Sequence, residues 1–283
     1  MANIVEIEPG HGRVVLLVVA HADDPTLFLG GTVARWADAG WRVVVVRVTD
    51  DRWDSVGLDE ATTIARSRRG FDEAMRILGV AESIELDYPT DTLGDISEVG
   101  LRERIIRVVR QHRPYALVTF DQFAMFGEDN EDHWKVAAAT DEAFWTSQFD
   151  LHHPEQLATG LTPHGAFERW WFGRDLQKVS DVVDISDTID RKIDAALCHE
   201  PALRNFVHQL RIQARTGGWR IPILDEAQDG DLRSVMDPLL RRQAEIVGAR
   251  HGCAMAEEFR VSRFGGLGEL LEVFGERIEG AAP

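Results

Sequence analysis

The chain predicts an α/β fold in which a mostly parallel sheet is sandwiched by helices. Residues 14–20 (VVLLVVA) form an unbroken apolar run rich in β-branched valine, and residues 115–121 (YALVTFD) read as another buried strand. The first run is followed by a helix-length segment that opens at Pro25 and closes at Gly40. A strand apolar on both sides needs cover on both faces, which is the situation of a parallel strand between helices. A sheet of this Rossmann-like kind opens a crevice at the carboxyl ends of its strands.

The elements follow in order. Pro25 suits the first position of a helix, where its missing N–H costs nothing and its φ is already helical. Gly30-Gly31 allow that helix to approach the sheet closely, and Gly40 is its C-cap. Thr49-Asp50 follow a second strand, and Leu78-Gly79-Val80 end a second helix. The strand at 115–121 leads into the acidic loop Glu128-Asp129-Asn130-Glu131-Asp132-His133 and then a helix starting near Trp134. Residues 169–173 are strand-like. From about Val179 an antiparallel edge, a helix over 187–198 and a C-terminal cover over the site are expected. Residues 216–233 carry Gly, Pro and acidic residues without periodicity, and read as a loop or lid. No Pro/Ser-rich linker or repeat divides the 283 residues. They therefore form one domain, with a Rossmann-like core over 1–176 and an extension over 177–283 that covers the site.

Composition excludes several classes of partner. The formal charge of −17 opposes nucleic acid and anionic membrane surfaces, because phosphate contact needs basic patches. No stretch approaches the ~20 apolar residues of a membrane span. The N-terminal MANIVEIEPGHG lacks the basic-then-apolar layout of a signal peptide, so a cytoplasmic location is expected. Cys198 and Cys253 are too few for a disulfide framework or a thiolate metal site. Eight tryptophans offer faces for stacking on a sugar, or for core and subunit contacts.

The chemistry-bearing residues sit at strand tips. The first strand ends in His21-Ala22-Asp23-Asp24, so one strand-to-helix turn carries three polar groups of types that suit zinc or ferrous iron. The same aspartates would also serve as helix caps with His21 a chance neighbour, and the triplet alone admits both readings. His133, at a helix start after a strand tip, can reach the same crevice, although an acidic loop of this kind is also ordinary solvated surface.

Together, the AHADD turn, Gly30-Gly31, Thr49-Asp50, Asp121 and Asp132-His133 resemble the PIG-L/LmbE-like family of zinc-dependent N-deacetylases, whose pattern is A-H-P-D-D, then G-G, then a later H-x-D-H. The resemblance extends to Leu78-Gly79-Val80, to Arg191-Lys192 through His199, and to Ala256-Glu257-Glu258-Phe259-Arg260. Within the family the branch acting on diacetylchitobiose and related N-acetylglucosamine compounds is the most similar, through GLTPH at 160–164 and RKIDAALCHE at 191–200. The resemblance implies that His21, Asp24 and His133 hold zinc, with ferrous iron or another divalent metal as alternatives, and that Asp23 is the general base. It implies hydrolysis of the N-acyl group of a small sugar-like substrate by a metal-activated water. A homo-oligomer is expected.

Departures from the pattern matter equally. Ala22 replaces the usual Pro, and Pro25 a frequent Glu. Asn130 stands where the family has the first His of H-x-D-H; an amide still donates a hydrogen bond but carries no charge. That change leaves room for a hydratase on the same scaffold, acting on an unsaturated dicarboxylic acid. Where the family shows Arg and, three residues on, Glu, this chain has Ser67 and Gly70. Arg68, between Arg66 and Arg69, is the guanidinium that a shifted register would bring to the site, against the alternative of a solvated basic face. Asp121, His164 and His199 are further substrate-side candidates, His164 as a replacement for the absent His at 130. A nucleotide-binding protein using Gly30-Gly31 and Asp50 would lack G-x-G-x-x-G.

Overall fold

The computed structural model describes the chain except residues 1, 125–126, 227–229, 277 and 279–283. In chain order its elements are β1 (Asn3–Ile4), β2 (Val14–Val19), α1 (Asp24–Asp38), β3 (Arg42–Thr49), α2 (Glu60–Leu78), β4 (Glu82–Tyr88), α3 (Glu98–His112), β5 (Ala116–Phe120), α4 (Glu131–Thr146), α5 (Pro154–Leu157), β6 (Glu168–Phe172), β7 (Asp181–Asp184), α6 (Ile189–Ala196), α7 (Glu200–Thr216), α8 (Ile223–Glu226), α9 (Arg233–His251), β8 (Ala256–Arg263) and α10 (Gly268–Phe274).

The apolar runs lie where their patterning requires. Val15 to Val19 of β2 are fully buried, and β5 is buried along its length. The strand order is β1-β7-β8-β6-β5-β2-β3-β4. The chain winds outward from β2 through β3 to β4, then returns to place β5 on the other side of β2, parallel to it. α1 packs on β2 and β3, whereas α3 and α4 pack on β2 and β5. Right-handed crossovers running in opposite directions place these helices on opposite faces. The chain therefore reverses direction between β2 and β5, and a crevice opens at their carboxyl ends.

The C-terminal extension differs from expectation. Its antiparallel strand is β8, which lies inside the sheet between β6 and β7. β7, the element near residue 179, runs parallel to β1. Residues 177–283 thus complete the sheet as well as flanking the site. Within the stretch expected to be a loop or lid, residues Ile223–Glu226 form the short helix α8, and 227–229 lie outside the described residues. No helix among the described residues is long and apolar enough to cross a membrane.

A second difference concerns α1. Its backbone is broken at Leu29, with φ −140° and ψ 24°, which frees N–H groups in mid-helix. Glu257 of β8 accepts them: Gly31 N–H at 3.1 Å, Thr32 N–H at 2.8 Å and the Thr32 hydroxyl at 2.6 Å. Lys192 of α6 completes this buried cluster at 2.7 Å from Glu257. A Cβ at Gly31 would fall 2.6 Å from the Ile185 side chain, so the glycine pair serves close approach to the segment after β7 rather than to the central strands. A buried ion pair is tolerated when its remaining acceptor sites are filled, and here they are. The clamp ties the C-terminal extension to α1 just behind the HADD turn.

Candidate metal centre

β2 ends where the polar turn begins, so His21 and Asp24 are carried by backbone that the sheet already fixes. Asp24, the first residue of α1, accepts the His21 backbone N–H at 2.7 Å through Oδ2, which pins its carboxylate to the turn. Across the crevice Asn130 caps α4, its Oδ1 accepting from Asp132 N–H at 2.9 Å. That cap puts His133 in the first helical turn, where it stacks on Phe120 with ring centroids 4.0 Å apart.

Three residues that could hold a metal ion converge. His21 Nδ1 lies 3.1 Å from His133 Nε2. Asp24 Oδ1 is 3.3 Å from His133 Nε2, and Asp24 Oδ2 is 3.6 Å from His21 Nδ1. Ligands about 2.0–2.1 Å from a tetrahedral ion lie roughly 3.3 Å from one another; here Asp24 turns a different oxygen to each ring, and one ligand atom from each of the three residues lies within 4.8 Å of the others, close enough for the group to hold an ion. All three residues are buried. Two outer carboxylates face the far sides of the rings: Glu128 Oε2 lies 2.9 Å from His133 Nδ1, and Asp132 Oδ2 lies 3.5 Å from His21 Nε2. Asp132 also accepts the N–H groups of Asp91 and Leu93, at 2.7 and 3.2 Å. Partners of this kind orient ligating imidazoles and raise their basicity.

The electrostatics agree with a cation site. Burial works against charge on His21, yet the carboxylates of Asp132 and Asp24 outweigh it and hold its pKa well above the ordinary value. The same balance raises His133, through Asp24 and Glu128. Burial also opposes ionisation of Asp24, but His133 and His21 hold it well below the usual carboxylate range. The carboxylates around the two imidazoles favour positive charge at this point. A divalent ion would meet the same demand.

Asp23 is different. It occupies the N-cap position of α1, but its side chain makes no capping hydrogen bond and lines the crevice. Burial, followed by the nearby charges of Asp24 and Asp54, pushes its pKa up to about 8. Asp54, from the loop after β3, is pushed by burial to about 6 and accepts from Asn205 of α7 at 3.3 Å.

The other sequence candidates divide. Asn130 lines the cavity, but its Oδ1 is occupied by the helix cap, so only its Nδ2 is left for a ligand. Asp121 does not line it. Its carboxylate binds the Arg260 guanidinium at 2.7 and 2.9 Å and the Phe123 N–H at 3.0 Å, joining β5 to β8. Arg68 is on the exposed side of α2, paired with Glu85 and Asp87 at 2.9 Å each. His164 bonds the Pro114 carbonyl at 2.8 Å and is absent from the cavity wall. His199 is buried away from the cavity, and neither ring nitrogen has a partner among the described residues. Burial, reinforced by Arg47, lowers its pKa to about 3, so it is neutral.

Sequence reading missed Glu128 and Asp132 as buried partners, taking the acidic loop for solvated surface, although its density of carboxylates beside His133 was the available signal. It also missed Arg47. This fully buried residue of β3 donates to Ser67 at 3.2 Å, approaches Asp51 at 3.3 Å and pairs with Glu85. Asp51 in turn accepts Ala22 N–H at 3.1 Å and so steadies the HADD turn. The guanidinium beside Ser67 thus comes from a strand and not from α2, and an Arg inside the run RVVVVRVT gives no sign of that.

Two histidines and an aspartate at the crevice between β2 and β5, beside the half-buried carboxylate of Asp23, make an arrangement that suits a metal-dependent hydrolase. A family model described as PIG-L, GlcNAc-PI de-N-acetylase, matches residues 16–144. The 1D-myo-inositol 2-acetamido-2-deoxy-alpha-D-glucopyranoside deacetylase of Mycobacteroides abscessus is 30% identical over 233 residues, covering 68% of this chain and 82% of the relative. Diacetylchitobiose deacetylase of Thermococcus kodakarensis is 29% identical over 199 residues, 69% of this chain and 72% of the relative. The solved N,N'-diacetylchitobiose deacetylase from Pyrococcus horikoshii shares the fold, with TM-score 0.72 and 24% identity over 90% of this chain and 85% of that one. The chain belongs to the PIG-L family of de-N-acetylases.

Proposed function

We propose that this protein removes the acetyl group from an N-acetylated amino sugar or sugar conjugate by metal-dependent hydrolysis. The observation that carries the reading is the separation of duties at the HADD turn: His21 and Asp24 converge with His133, while Asp23 keeps a free carboxylate beside them. His21, Asp24 and His133 would hold the ion, zinc by ligand type with ferrous iron or another divalent metal as alternatives, and it would supply Lewis acidity to a water and to the amide carbonyl. Asp23, whose proton affinity is raised by burial, takes the proton from the attacking water and passes it to the leaving amine. A carboxylate bound to the ion would be a poor base, which is why the turn needs both aspartates. Nδ2 of Asn130 donates to the oxygen on which negative charge develops. Asp23, Asp54, Asp91 and Asp129 along the wall favour a neutral, hydroxyl-rich or cationic substrate over an acidic one.

The same reading includes a homo-oligomer, supported by the exposed Trp145 and Leu151, and a reducing, cytoplasmic setting, supported by the free Cys198 and Cys253. Sedimentation of the purified protein tests the first. Activity is tested by incubating protein loaded with zinc, and separately with ferrous iron, with N-acetylglucosamine and diacetylchitobiose. Release of acetate and free amine is expected. Full metal occupancy with no amine from any N-acetyl sugar would overturn the assignment.

A further inference from the structure

A second cavity, of about 420 Å³, lies between α4 and the paired strands β6 and β8, and none of the metal-centre residues lines it. Its volume falls within the range for small-molecule sites, roughly 300–1,000 Å³. Arg169 and Trp171 are two residues apart on β6 and so share a face, and Arg260 of β8 stands opposite Trp171 in register. The indole attracts both guanidiniums: Arg260 Cζ is 3.7 Å and Arg169 Cζ 4.8 Å from its centroid, and Arg169 Cζ is 4.1 Å from the centroid of Phe144.

The two cations differ in their partners. Arg260 donates to Asp121 at 2.7 and 2.9 Å. Among the described residues nothing accepts from Arg169, whose Nε is buried without a partner. Burial lowers its pKa below the ordinary arginine value, so the fold takes this charge part-way out of water without giving it an anion. Ring faces offset some of the charge, but they do not take up the N–H groups as a carboxylate does.

The carboxylates of the cavity are otherwise placed. Asp141 is close enough to be felt by Arg169, yet its oxygens accept Trp171 Nε1 at 2.8 Å and Gln122 Nε2 at 2.7 Å. Glu142 lies 3.3 Å from Arg102. Glu98, exposed at the start of α3, makes no ion pair among the described residues and leaves a negative charge at the cavity's edge. A ligand with a single negative charge suits these surroundings better than a multiply charged phosphate. Phe123 lines the cavity, is 63% exposed and offers a ring to an apolar body.

We propose that this cavity binds a small monocarboxylic acid with a flat apolar body, its carboxylate forked onto Arg169 and its body against Phe123. The guanidinium's planar fork matches a carboxylate in both shape and charge.

Calorimetric titration of the zinc-loaded protein with benzoate tests this, with acetate, benzyl alcohol and inorganic phosphate beside it. Benzoate should show a saturable event that Arg169→Gln weakens at least about tenfold while zinc content is unchanged. Acetate, which lacks the ring, and benzyl alcohol, which lacks the charge, should show that event at least about tenfold more weakly than benzoate. Phe123→Ala changes an exposed side chain and guards against a folding failure of the first variant; it should weaken benzoate severalfold, and unaltered affinity there overturns the inference. Benzoate binding that is indifferent to Arg169→Gln also overturns it, because the anion then sits on the metal ion. Phosphate binding more tightly than benzoate overturns the choice of a monocarboxylate. A change of sedimentation in Arg169→Gln, with no benzoate event in the unaltered protein, overturns it by making the cavity a contact between copies of the chain.

Discussion

His21 Nδ1 and His133 Nε2 face each other across 3.1 Å although 112 residues separate them in sequence. The first ends a turn after β2 and the second opens α4 after β5, so the two rings meet because those strands are neighbours in the sheet. Two imidazole nitrogens at this distance need a proton or a cation between them. Removing divalent metal with a chelator should abolish amide hydrolysis and lower the melting temperature, and zinc should restore both. An ion present at about a thousand times its Kd adds roughly 4 kcal/mol to stability. A melting curve insensitive to chelation would contradict the centre.

Glu128 lies 2.9 Å from His133 on the side away from the ligand triangle. Glu128→Gln keeps the shape and removes the charge. Metal affinity should fall about 10- to 100-fold, read by competition with a metallochromic chelator.

Asp23→Asn should retain metal stoichiometry while kcat falls by about 10²- to 10⁴-fold. Unchanged kcat would mean that another group moves the proton.

Glu257 joins β8 to the break in α1 and neutralises Lys192. Glu257→Leu leaves a buried ammonium and two backbone N–H groups unanswered, and should cost about 3–5 kcal/mol in urea unfolding. Adding Lys192→Met removes the stranded charge and should recover part of the loss.

His199 gives a pH signature. It is buried and neutral, with its pKa lowered from the ordinary 6.5 to about 3. Between those values the unfolded chain binds a proton that the folded chain refuses, so stability is fully present above about pH 6.5 and is lost as pH falls towards 3. His199→Leu gives up no hydrogen bond to a described residue and should flatten the slope by about 1.4 kcal/mol per pH unit near pH 5. Denaturation at pH 7, 6 and 5 measures it; an unaltered slope would show that His199 is protonated in the fold.

Much of the frame is legible in the sequence. Val14–Val19 is wholly apolar and Ala116–Phe120 is apolar but for Thr119, and a strand with so little polar surface has few places to go except the middle of a covered sheet. Gly79, at φ 82°, ends α2 as its sequence signal indicates. The His21–Asp24 turn is local, so residue order alone put those side chains together.

What residue order could not decide depends on which strands become neighbours. Asp121 stands at a strand tip like the functional residues, but β8 enters the sheet beside β6 and brings Arg260 to neutralise it. Arg68 is held outside by Glu85 and Asp87, while Arg47 reaches Ser67 from within. Glu128 and Asp132 look like solvated surface until the crevice closes over them and their charges turn toward the imidazoles. Local sequence determined the strands, the turn and the types of ligand, because backbone geometry and apolar periodicity act over a few residues. Only the tertiary structure decided which charges are paired, buried or free, because Coulombic and desolvation energies depend on what the fold brings within a few ångströms.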